Sequence, residues 1–190
     1  MKKSIQYRFR KIDVAQFAIF PEHYSSEMSE VGFGLDSQFA FDKEQNVLCS
    51  RIIVSMTNEA NNLLLKIELC CYFEIAKESM QNILQDNSYV FQPALLVQFA
   101  SLCYGTLRGV IHMKTIDTPL NGYILPPVFF DTIINNPFIV ERQSLCNRRL
   151  TLFNSSFRVA IPIGVATFFC SYDLGITQES LYLFGKAFIV

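Results

Sequence analysis

The chain has 190 residues, enough for one domain with an appendage or for two very small domains. At 51% hydrophobic, with 18 phenylalanines and 8 tyrosines but no tryptophan, it can bury a core and still line an apolar surface. The formal charge is −1, so charge gives no case for nucleic-acid binding; residues 1–136 carry 11 basic and 14 acidic residues (net −3) and residues 137–190 carry 5 and 3 (net +2).

The opening "MKKSIQYRFRK" is basic, but no apolar stretch follows it. No secretory signal is expected, and the protein is expected in the cytoplasm. Four segments then read as strands. "IQYRFRKI" alternates Ile5, Tyr7 and Phe9 with Gln6, Arg8 and Arg10. "EVGFGLDSQFAFD" alternates Val31, Phe33 and Leu35, with Phe39 and Phe41 on the same parity. "NVLCSRIIVSM" puts Leu48, Ile52, Val54 and Met56 on one side. In "NLLLKIELCCYFEI" every odd position from Leu63 to Ile75 is apolar, while Lys66, Glu68, Tyr72 and Glu74 share the other face. This is a period of two, with one dry and one mixed face. The polar connections "DKEQN" and "TNEANN" suit tight hairpins, which predicts an antiparallel meander.

The period then changes. "AKESMQNILQDN" predicts a short helix with Met80, Ile83 and Leu84 on one face. "QPALLVQFASLCYGTLRGVIHMKT" predicts a long one: Pro93 fits its first turn, and Leu96, Phe99, Cys103, Leu107 and Val110 follow at spacings of three or four. Gly105 and Gly109 each cost about 1 kcal/mol of helix stability relative to alanine. Two readings of that pair stay open: close approach of another helix, or a fraying end. "IDTPLNGYILPP" is a loop, and a second helix is expected from Pro127 to about Asn136, limited by Pro137. Strands followed by helices predict an α+β fold: a four-stranded antiparallel sheet with helices packed on one face.

Chemistry is sparse. His23 and His112 stand without a motif, and there is no phosphate loop, nucleophile elbow or dinucleotide fingerprint. The "GFG" at Gly32 lies in a strand pattern, where glycine marks a bulge or a close backbone approach. Asp131 opens the expected second helix, where a carboxylate complements the helix dipole. The six cysteines form no C-x-x-C pair and are expected reduced, with Cys70 and Cys71 on opposite faces of one strand. The run from Val159 contains Pro162, Gly164 and Asp173 and is too interrupted to span a membrane. No enzyme, cofactor, metal site or membrane insertion is expected, and the weight shifts to a binding protein.

The stretch "LPPVFFDTII" at residues 125–134 resembles the signature of the SecB export chaperone family. A Pro119-Leu120-Asn121 element precedes it, then come Leu125, Pro127, Val128, Phe130 and Asp131. The glycine-containing helix before it and the "CCYFEI" strand end fall in matching places, over residues 5–136. The resemblance implies a dimer of dimers with the long helices at the contact, which places Tyr104, Gly105 and Gly109 at an oligomer interface. It also implies a molecular chaperone that holds unfolded polypeptides, such as preproteins for export, without ATP. The groove would be lined by Tyr123, Ile124, Leu125, Val128 and Phe129; Leu125 and Val128 are expected to lean to the core, Tyr123 and Phe129 to the groove. Aromatic residues suit such a groove because they offer apolar area with few rotors.

Three departures accompany the resemblance. The body is only mildly acidic, and Lys66 stands where the family has an acidic residue for docking the SecA motor. Phe129 replaces a polar residue of the signature. Residues 137–190 have no counterpart and are taken as a C-terminal extension after a domain at 1–136; a partner segment and a translation past the natural end are both open. A chaperone dedicated to one client, such as the antitoxin of a toxin–antitoxin pair, and a non-enzymatic scaffold are the other functions considered.

Overall fold

A computed structural model describes residues 4–28 and 30–142 and the backbone of 153–162. Its four long strands are β1 (Tyr7–Ile19), β2 (Glu30–Asp42), β3 (Val47–Thr57) and β4 (Leu63–Ile75). All neighbours are antiparallel. The α+β class and the four-stranded sheet with helices on one face are present. The strand order is β1-β4-β3-β2, so the expected meander holds for β2, β3 and β4 and fails for β1. The reason is the connection. Short turns hold β2 to β3 and β3 to β4, whereas residues 20–29 contain a 3-10 turn, Pro21–His23, and are too long for a tight hairpin. That length carries the chain from β1 past two strands to β2.

Asparagine and aspartate build the two hairpins. Asp42 Oδ1 accepts from the amides of Glu44 and Gln45. Asn58 Oδ1 accepts from those of Ala60 and Asn62. Asn46 and Asn61 take the left-handed backbone each turn needs. At Gly32, opposite Thr57, an added Cβ would collide with Thr57 Oγ1. The glycine is therefore a close-approach position.

Helix α1 (Lys77–Ile83) ends earlier than its sequence suggests. The chain turns into β5 (Leu84–Gln85), and Asp86 and Asn87, both at positive φ, reverse it into β6 (Ser88–Phe91). Positive φ at both central residues is the type I′ hairpin geometry. Strand β7 (Phe138–Glu141) completes this small sheet by pairing with β6, and the Lys43 ammonium donates to the Glu141 carbonyl. Strand β8 (Phe153–Pro162) pairs with the free edge of β2 and makes the main sheet five-stranded. Two strands from beyond residue 136 thus pair with strands from before it. The expectations for Cys146, Cys170 and the run past Pro162 lie outside the described residues.

Helix α2 (Pro93–Lys114) matches its expected span. Pro93 sits in the first turn, where a missing amide costs nothing. His112 and Lys114 lie in the last turn, where cations complement the helix dipole. By length and hydropathy α2 could cross a bilayer, but Leu96, Phe99, Cys103 and Leu107 are buried under it. It lies over β3 and β4. Phe99 stacks on Phe73 at 4.3 Å between ring centroids, and Tyr7 meets Phe99 edge-on at 4.7 Å. Aromatic pairs of this kind are worth about 0.5–1.5 kcal/mol beyond burial. Cys103 Sγ donates to the Ser50 carbonyl, fixing helix against sheet. Helix α2 meets β1 at Tyr7, against Phe99, and at Phe17, under the Lys114 ammonium, while Phe9, Ile12 and Val14 between them stay exposed.

The expected second helix is absent. Residues 130–132 form one 3-10 turn instead of a helix from Pro127 to Asn136. The proline pair keeps the chain extended, and Phe129 still has extended backbone (φ −96°, ψ 93°). Pro137 biases the residue before it away from helical backbone, so the prolines restrict both ends of the segment. Asp131, expected at that helix start, is exposed in the 3-10 turn.

Candidate functional site

The segment between α2 and β7 is held near both of its ends and at its middle. Near its start Tyr123 lies against Tyr24, just before β2 begins. At its end Phe138 stacks on Phe91, whose ring meets Phe41 at the close of β2. Midway, the Tyr104 hydroxyl donates to the Pro126 carbonyl at 2.6 Å, and Phe130 meets the Tyr104 ring edge-on at 5.8 Å. The loop is therefore pinned to α2 by one hydrogen bond and one ring contact.

The pinned chain alternates inward and outward, as extended backbone does. Tyr123 and Val128 are half-buried and pack on the core. Leu125 is 5% exposed and Phe130 is buried. Between them Ile124 is 78% exposed and Phe129 59% exposed. Of the five residues expected in the groove, Leu125 thus belongs to the core, Tyr123 and Val128 border it, and Ile124 and Phe129 face outward. Burial, with Tyr24 adding, pushes the Tyr123 hydroxyl above the usual tyrosine pKa. The loop can offer aliphatic and aromatic area with no fixed hydrogen-bond geometry.

On α2, Gly105 and Gly109 face outward, and a Cβ on either would meet nothing within 4 Å. Leu102 and Met113 are exposed on the same face at helical spacing. Tyr104 does not join them. It is 4% exposed and held by Pro126 and Phe130, in the chain's own core. Of the outward apolar residues, Phe9 belongs to the alternating dry face read from the sequence, whereas Ile12 and Val14 have the opposite parity and join that face through the register shift at Arg10. What uncovers them is the placement of α2 over β3 and β4, which no local signal specifies.

The face of the sheet away from the helices is paired and polar. Arg8 binds Glu74 at 2.9 Å, Arg51 binds Glu68 at 2.7 Å and Lys11 binds Asp13 at 3.1 Å. Lys66 stands half-buried on this face, between Ser55 and Ala18 on the flanking strands. A cleft of about 380 Å³ opens beside Arg10, Lys11, Cys49 and Tyr72. There the Tyr72 hydroxyl is pushed up to about 12 by burial, with the Cys49 and Cys70 thiols adding. Cys70 contacts Cys49 on this face, and Cys71 contacts Cys103 on the helix side. All four are free thiols. His23 gives its ring nitrogen to the Leu63 carbonyl at 2.7 Å, and His112 is exposed at the end of α2. Among the described residues, no three histidine, cysteine or carboxylate side chains converge as a metal site.

The fold is that of an α+β domain, and the loop exposes the apolar side chains of Ile124 and Phe129. No family model and no curated protein sequence matches the chain. Among solved structures, it is similar to the SecB-like chaperone Rv1957 of Mycobacterium tuberculosis in complex with a ChAD peptide from the Rv1956 HigA1 antitoxin. The sequences are 16% identical, the TM-score is 0.45, and the match covers 64% of this chain and 89% of that one.

Proposed function

We propose that this protein is a molecular chaperone that holds non-native polypeptides without ATP. The observation that carries the reading is the pinned loop. It buries Leu125 and Phe130 yet keeps Ile124 and Phe129 in water. Leaving large apolar side chains exposed on a well-anchored segment costs solubility unless something covers them. An unfolded chain supplies apolar cover without demanding a particular sequence. The signature-like motif at residues 125–134 agrees with this reading. The site is non-enzymatic, the protein works in the cytoplasm, and copies associate through the bare face of α2 around Gly105 and Gly109.

The test is suppression of aggregation of a chemically unfolded model protein at stoichiometric amounts. Light scattering should fall by more than half at one protomer per client. No effect at a several-fold excess rejects the chaperone reading in its general form.

A second reading has its own observation. The outer face of the sheet is neutralised by three ion pairs and carries Lys66, so it offers no acidic surface for a basic docking partner such as the SecA motor. That favours a chaperone dedicated to one client, an antitoxin for example, over one that serves preprotein export. Suppression confined to a single co-expressed client, with none for the model protein, is the outcome that selects it.

A further inference from the structure

Strand β8 pairs with β2 over ten positions, from Phe39 opposite Phe153 to Glu30 opposite Pro162, without a register shift. The residue types match across the pair. The buried Val31, Phe33, Leu35 and Phe39 of β2 stand opposite Ile161, Val159, Phe157 and Phe153. Ser37, the polar member of that buried row, stands opposite Ser155. Pro162, which has no amide to donate, falls at the last pair. Without β8, β2 would present a ten-residue row of unpaired backbone groups, a template for any extended chain. The segment bearing Ile124 and Phe129 has one end near Tyr24, ahead of β2, and the other on Phe91, which meets Phe41 at the close of β2.

We propose that the β2 edge is a strand-addition site for extended client segments, and that residues 153–162 occupy it as an internal stand-in. A client adds antiparallel to β2, displaces β8 and takes over its backbone hydrogen bonds. The segment that fits has alternating apolar residues, tolerates a small polar residue midway and has no proline inside the pairing. Backbone pairing supplies affinity without sequence, and Ile124 and Phe129 supply nearby apolar contact. Because β8 is tethered, it competes at the millimolar effective concentration typical of linked segments, so only segments that also engage the loop displace it. The inference rests on the chaperone reading for its client, but the edge itself can be tested alone.

The test uses the full chain. A Ser156→Pro, Phe157→Pro variant removes two consecutive amides, of which one must point at β2 in an antiparallel strand. A fluorescent peptide of residues 153–162 should bind this variant at least tenfold more tightly than the wild type, by anisotropy. Equal affinity overturns the proposal. In the wild type, an excess of unfolded model client should speed hydrogen exchange at the β8 amides while those of β2 stay slow. Unchanged β8 exchange under conditions where aggregation is suppressed also overturns the proposal, and leaves the chaperone reading standing. Peptide protection of β2 in the variant, with no suppression by the wild type, keeps the edge site and removes the chaperone reading. If the proline variant fails to fold, the wild-type exchange measurement decides.

Discussion

Tyr104 shows how one hydroxyl can set the course of a loop. Its bond to the Pro126 carbonyl holds the proline pair against α2, and Ile124 and Phe129 keep their outward positions as a result. Tyr104→Phe should lower stability by about 0.5–1.5 kcal/mol in urea unfolding, the usual net worth of such a bond. It should also weaken client binding, since the loop loses its anchor. Ile124→Ser with Phe129→Ser should do the reverse. Stability should change by less than about 1 kcal/mol, because exposed positions carry little packing. Client affinity should fall at least tenfold by anisotropy, and unchanged affinity would remove the loop from the site. Tyr72 makes a prediction in pH. The unfolded phenol titrates near 10 and the folded one near 12, so the unfolded chain releases its proton first as pH rises. Its contribution is intact below about pH 10 and is lost between about 10 and 12. Tyr72→Phe should flatten that part of the urea midpoint against pH.

At the scale of elements, the sequence made the strong periods readable and left the connections open. Residues 63–75 are apolar at every second position, and that run is β4. Pro93 and the three-and-four spacing gave α2 its full span. The position of β1 beside β4 was not readable, because β1 would offer the same dry face beside any neighbour. The small sheet was not readable either. Strands of two and four residues are too short to show alternation, and Asp86-Asn87 reads equally well as a helix end. The helix expected at Pro127 failed because the proline pair keeps the chain extended through Phe129 and Pro137 restricts the residue before it. In the candidate site, the apolar content of residues 123–130 was readable, but which residues face water follows from Tyr104 reaching Pro126 across the fold. The hairpin reading can be checked directly. Replacing Asp86-Asn87 by Asn-Gly, the preferred type I′ pair, should stabilise the protein by about 0.5–1 kcal/mol. A loss of stability would mean the turn is of another kind.

Besides the loop, the described residues leave apolar side chains bare on the Gly105–Gly109 face of α2 and on the helix side of β1. If α2 faces meet between copies, glycine lets the backbones approach. Gly109→Arg should then convert the assembly to monomers in light scattering, while leaving the unfolding midpoint of the single chain nearly unchanged or raised, since glycine is the poorer helix former. A wild-type monomer at micromolar concentration would count against association through this face.

The two rims of the main sheet are β1 and β8. β1 carries register shifts at Arg10 and Ala15, whereas β8 pairs with β2 without one. Interrupted registers are one way in which folded proteins avoid seeding amyloid. If the protein holds non-native chains as proposed, this matters beyond its own solubility. A straight open rim would line up such chains in register and nucleate deposits. Deleting Arg10, which straightens the first interruption, should therefore shorten the lag of fibril formation in mixtures with an aggregation-prone client. An unchanged lag would mean that the irregularity of β1 has no such protective role.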